Sequence, residues 1–169
     1  MPARPEGPDS GKNPSLPAEG PGSRLDASSP NKIVTVLSVS GSDADHLALG
    51  HLFRHTKWTL MESRSCRDAA EVLRKHPVPV IICERSLPDG DWKDVLRESS
   101  GQPHPPLLIV ACRLADDCLW TDVMNCGGYD VLEKPFNQGE LVRVVSLAWL
   151  AWKDQWQRAG ERGINAAGE

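Results

Sequence analysis

Short β-branched and aliphatic runs alternate five times with stretches that carry apolar residues at helical spacing. This alternation leaves the chain few architectures. The runs are Ile33–Val39 (IVTVLSV), Trp58–Met61, Val80–Cys83 (VIIC), Leu107–Ala111 (LLIVA) and Tyr129–Leu132, all read as strands. Between them the spacing predicts helices. Asp43–His55 turns Ala48, Leu49, Leu52 and Phe53 inward behind the candidate caps Ser42 and Asp43. Arg67–His76 turns Ala70, Val72 and Leu73 inward and is stopped by Pro77. Trp92–Glu98 is short. Ala115–Cys126 ends at Gly127–Gly128, a C-cap signal. Asn137–Gln157 is the longest, with Asn137 as N-cap.

VIIC and LLIVA are apolar throughout, as parallel strands covered on both faces should be. Five strand–helix units with short connections imply an open parallel sheet with helices on both sides. The expected fold is α/β, a flavodoxin-like (βα)5 doubly wound sandwich with strand order 2-1-3-4-5. Functional residues of such sheets lie beyond the carboxyl ends of the strands. Those ends are Val39–Gly41, Cys83–Arg85, Ala111–Arg113 and Leu132–Pro135.

Flanking segments have another composition. Residues 1–31 hold seven of the 14 prolines and almost no large apolar side chain, so they are expected to form a disordered tail. Residues 158–169 are polar and Gly-containing, and are expected to be flexible. One domain, 32–157, remains. The net charge of −4, with scattered Lys and Arg, argues against nucleic acid as a partner. No apolar run approaches a membrane span, and no signal-peptide pattern opens the chain, so a cytoplasmic protein is expected. The five cysteines (Cys66, Cys83, Cys112, Cys118, Cys126) include no Cys-x-x-Cys pair, so buried free thiols are expected rather than disulfides or zinc.

Two segments carry chemistry. Val80–Gly90 (VIICERSLPDG) places an acidic residue, Glu84, after an apolar strand and a proline, Pro88, four residues on. Gly127–Phe136 (GGYDVLEKPF) places Lys134 and Pro135 after the fifth strand. Together, inside this βα pattern, they resemble the receiver domains of two-component response regulators (the CheY-like superfamily) over about 125 residues. The resemblance implies that Glu84 stands at the phosphoaccepting aspartate position and Lys134 at the family's lysine, and that Lys134–Pro135 is a cis bond. It also implies signalling partners, a histidine kinase or a downstream effector, and Mg²⁺ as the family's metal. Mg²⁺ would be held by carboxylates and would neutralise charge during phosphoryl transfer.

Several positions depart from that pattern. The acidic pair after the first strand becomes Ser40 and Gly41. The Thr/Ser position after the fourth strand becomes Ala111, and the aromatic position on the fifth strand becomes Val131. Alternation puts Tyr129 on the same face as Val131. Glu84 carries its carboxylate one methylene further out than aspartate would, and a displacement of about 1 Å can cost about 10²-fold in attack geometry. The resemblance therefore implies a pseudo-receiver, a stand-alone protein working through protein contacts without cofactor or phosphorylation, and not an enzyme. Glu84 is expected to pair with Lys134, as a plain ion pair or as an imitation of an activated aspartate. The competing reading keeps phosphotransfer and draws Mg²⁺ ligands from Asp43 or Asp45, otherwise an N-cap and a solvated helix residue. A more distant one is a flavin binder or small enzyme of flavodoxin-like fold.

Other features are read more simply. His46, His51 and His55 are expected on a solvated helix face, and Asp89 and Asp91 in a solvated turn. Trp149, Trp152 and Trp156 form one helical stripe, and Trp152 and Trp156 are candidates for a partner or homodimer interface.

Overall fold

The computed structural model describes residues 33–166. The expectation of a disordered 1–31 segment lies outside the described residues. In chain order the elements are β1 (Thr35–Val39), α1 (Asp43–Phe53), β2 (Thr59–Ser63), α2 (Cys66–Lys75), β3 (Val80–Glu84), β4 (Ser86–Leu87), β5 (Gly90–Asp91), α3 (Trp92–Ser100), β6 (Leu107–Cys112), α4 (Asp117–Cys126), β7 (Asp130–Glu133) and α5 (Gln138–Ala166). Five strands form one sheet in the order β2-β1-β3-β6-β7, every neighbouring pair parallel. Counted along the chain, this is the expected 2-1-3-4-5. The two-residue strands β4 and β5 pair antiparallel in the β3–α3 connection, a ladder the sequence pattern did not indicate.

Alternate residues of the central strands feed two cores. Leu37, Val39, Ile81, Cys83, Leu108 and Val110 meet α2, α3 and α4 on one face. Val36, Val80, Ile82, Ile109 and Leu132 meet α1 and α5 on the other, through Leu49, Phe53, Leu141, Val145 and Ala148. Each fully buried aliphatic side chain of this kind stabilises the fold by about 1.5–3 kcal/mol. The same period of two carries Ser38, Ser40, Glu84 and Lys134 to the α1/α5 side, continuing the rows of Val36, Ile82 and Leu132.

Helix ends are held largely by local side chains. The Asp116 carboxylate accepts from Leu119 N–H at 2.7 Å, and Gly127 at φ 94° ends α4. Asn137 Oδ1 accepts from Glu140 N–H at 3.1 Å. Asp91 and Asp94 form a capping box at α3. Asp89 reaches from the β4–β5 turn to the start of α2 and accepts from Cys66 and Arg67 N–H at 2.7 and 3.0 Å. Both aspartates, expected as solvated turn residues, are therefore helix caps. The two N–H groups that favour its charge hold the Asp89 carboxyl below the usual range.

α5 runs on as helix through residues 158–166, where Arg158 pairs with Asp154 at i,i+4. Two further expectations are corrected. Trp152 is not a surface residue. It is 7% exposed and its indole N–H donates to His104 O at 3.4 Å. Trp156, 43% exposed, stacks on the His104 ring at 3.9 Å. All five cysteines are free thiols, but only Cys83 and Cys112 are buried, while Cys118 and Cys126 are exposed. Burial pushes the Cys66 thiol up to about 11 and Cys83 further. Among the described residues no helix is long and apolar enough to cross a membrane.

Candidate functional site

At the carboxyl ends of β1 and β3, four polar side chains from four segments converge. Ser40 follows β1, Asp45 lies in the first turn of α1, Glu84 ends β3, and Lys134 follows β7. Lys134 Nζ donates to Asp45 Oδ2 at 2.5 Å and to Glu84 Oε1 at 3.1 Å. The Ser40 hydroxyl lies 2.7 Å from Asp45 Oδ2 and 2.8 Å from Glu84 Oε2. Its oxygen accepts from Ser42 N–H at 3.1 Å. The side chains of Lys134, Asp45 and Glu84 are 10, 14 and 29% exposed, so the charges are shielded and the attractions exceed those of a solvated surface pair.

A second network lies beneath. His46, 3% exposed, holds the turn from inside: Nδ1 is 2.9 Å from Ser38 Oγ and Nε2 is 2.9 Å from Ser40 O. A carbonyl only accepts, so Nε2 carries a proton and donates to it. His46 thereby ties α1 to the end of β1 and sets the rotation of the first helical turn. That rotation aims the preceding residue, Asp45, over the strand ends.

The expected residues fall as follows. Glu84 and Lys134 meet, and Ser40 joins them. Gly41 lies beside Pro88, whose ring carbons would be 3.3 and 3.4 Å from an added Cβ. Ala111 is buried and is the register partner of Glu84 on β6. The Lys134–Pro135 bond is cis. Val131 and Tyr129 do not share a face: Val131 packs with the α2–α4 core and Tyr129 with the α1/α5 core. The physical reason is that β7 starts at Asp130, so Tyr129 belongs to the turn after Gly127 and Gly128, where strand alternation does not apply.

One residue of the network, His46, was expected on a solvated face, and Asp45, expected as a solvated helix residue or, in the competing reading, as a Mg²⁺ ligand, joins the site through Lys134. His46 lies three and seven residues before Leu49 and Phe53, on the buried stripe of α1, and that spacing was the available signal. Asp43 does stay outside; it pairs with Arg64 at the surface.

Mg²⁺, implied by the resemblance, does not fit these residues. Lys134 holds Asp45 Oδ2 and Glu84 Oε1, and the single Ser40 hydroxyl proton serves either Asp45 Oδ2 or Glu84 Oε2. A hard cation takes several oxygen ligands, and the two carboxylates here already share an ammonium. Among the described residues no three His, Cys, Asp or Glu side chains converge as a ligand set. The network opens onto a groove between α1 and the β7–α5 connection, lined by Leu47, Leu52, Arg113, Pro135 and Phe136.

No family model and no curated protein matches the chain. Solved structures do. The signal receiver domain of an HD domain-containing protein from Pseudomonas fluorescens Pf-5 is 23% identical, with a TM-score of 0.70, over 79% of this chain and 99% of that one. The chemotaxis response regulator CheY4 of Vibrio cholerae is 17% identical, with a TM-score of 0.63, over 69 and 98%. The receiver domain of a signal transduction histidine kinase from Syntrophus aciditrophicus is 23% identical, with a TM-score of 0.61, over 70 and 91%. At these identities the likeness establishes the receiver fold.

Proposed function

We propose that the chain is a pseudo-receiver of two-component signalling, which acts by binding partner proteins without taking a phosphoryl group. The observation that carries this reading is the pairing of the Glu84 carboxylate with Lys134, with the Ser40 hydroxyl 2.8 Å from its second oxygen. An attacking carboxylate must present a free oxygen in line with the phosphorus, with the developing charge neutralised. Here Lys134 holds the Glu84 carboxylate, the two carboxylates already share that ammonium, and Ala111 offers no hydroxyl to a phosphate. The partners that suit the fold are a histidine kinase or a downstream effector, in the cytoplasm. The exposed Leu47 and the groove beside Lys134 are the apolar surface nearest the network.

Incubation with Mg²⁺ and acetyl phosphate, followed by intact mass, tests the reading. The expected result is an unmodified chain; a stoichiometric adduct mapped to Glu84 overturns it. A self-partner is a separate matter. Trp156 is the half-exposed aromatic of α5, and light scattering over a concentration series, beside Trp156→Ala, reads whether it joins two copies.

A further inference from the structure

We infer that Lys134 is a resident cation: its ammonium takes the role a divalent metal would have between Asp45 and Glu84, so the site holds one state whatever the Mg²⁺ concentration. The inference rests on the reading of Glu84 as a paired carboxylate that accepts no phosphate. Three observations carry it.

The first is placement. Nζ of Lys134 contacts one oxygen from each carboxylate, at 2.5 and 3.1 Å, and is the cation common to both. The second is shielding. With the lysine side chain 10% exposed, water screens the pairing only weakly, and two part-buried carboxylates this close would repel without a cation. The third is the companion group. Ser40 stands at the end of β1, and its neutral hydroxyl, with one proton to give, lies within hydrogen-bond distance of both carboxylates. A third carboxylate would leave one ammonium facing three negative charges. Serine leaves it two, a balance a single lysine can serve.

The consequence is mechanical. A metal joins a site from solution and leaves it; Lys134 is part of the chain. It ties the β7–α5 connection to α1 through Asp45 and to β3 through Glu84, and Ser40 adds the end of β1. Four segments are thus joined by groups that belong to the chain itself.

Thermal melting of the full chain tests this, after EDTA treatment and then with MgCl₂ or MnCl₂ at constant ionic strength, without any phosphoryl donor. The wild type should show no saturable shift in Tm. Lys134→Met should melt lower and gain a saturable rise of about 3–6 °C at roughly ten times its cation Kd. Asp45→Asn in that background should abolish the gain. Lys134→Gln, which keeps a polar tip, serves if the Met variant does not fold. A saturable shift in the wild type overturns the inference by itself, as does a folded Lys134 variant with no cation response. Either failure leaves the phosphorylation experiment untouched, and a Glu84 adduct with acetyl phosphate would overturn the non-phosphorylated reading instead.

Discussion

Lys134 and Asp45 are 89 residues apart in the chain, yet their charged groups meet at 2.5 Å over the end of the sheet. Neither is in a strand. β7 delivers the lysine, and the first turn of α1, held by His46, delivers the aspartate.

Removing members of this network should therefore have unequal effects. Lys134→Met leaves two shielded carboxylates without their cation and should cost about 2–4 kcal/mol. Glu84→Gln keeps an acceptor for Lys134 and should cost only about 0.5–1.5 kcal/mol. Urea unfolding in EDTA measures both. Equal losses would contradict the assignment of Lys134 as the common partner.

His46→Ala should lower stability by about 2–3 kcal/mol, because it opens a cavity and strands the Ser38 hydroxyl and the Ser40 carbonyl. His51→Ala, on the exposed face, should change it by less than about 0.5 kcal/mol. Chemical denaturation of the pair checks this.

The Asp89 cap should make stability depend on pH. Its native carboxyl titrates below the usual value because Cys66 and Arg67 N–H groups favour the charged form. The stabilisation is therefore complete above the unfolded pKa, about 3.9, and is lost as pH falls through the lower native value. Asp89→Ala should differ from wild type most at pH 6, with the gap in urea midpoint narrowing toward pH 2–3. A constant gap would remove the linkage.

Thiol reactivity should follow burial. Cys118 and Cys126 are exposed, whereas burial raises Cys66, Cys83 and Cys112. Ellman's reagent at pH 8 should titrate two thiols quickly in the native chain and five after unfolding. Rapid native labelling of Cys83, located by peptide mapping, would contradict its place in the core.

The amino-acid order already determined the architecture. The five apolar runs are recognisable because burial on both faces demands continuous aliphatic residues, and helix ends because caps are local: Asn137 and Gly127 act within a few residues of themselves. Glu84 and Lys134 were legible for a similar reason, since each belongs to a short segment with its own pattern. Only the tertiary structure decided which groups share the site. Asp45 is a polar residue on a short helix, and its own spacing does not say which group the first turn of α1 aims it at. That depends on how Leu49 and Phe53 pack into the core that also holds Val80 and Ile82. Tyr129 and Val131 make the same point, because residues two apart share a face only inside a strand. The Glu84–Lys134 pair was expected from sequence, whereas its completion by Asp45 and Ser40 depends on where packing sets helix and strand ends, and long-range packing is not encoded in local order.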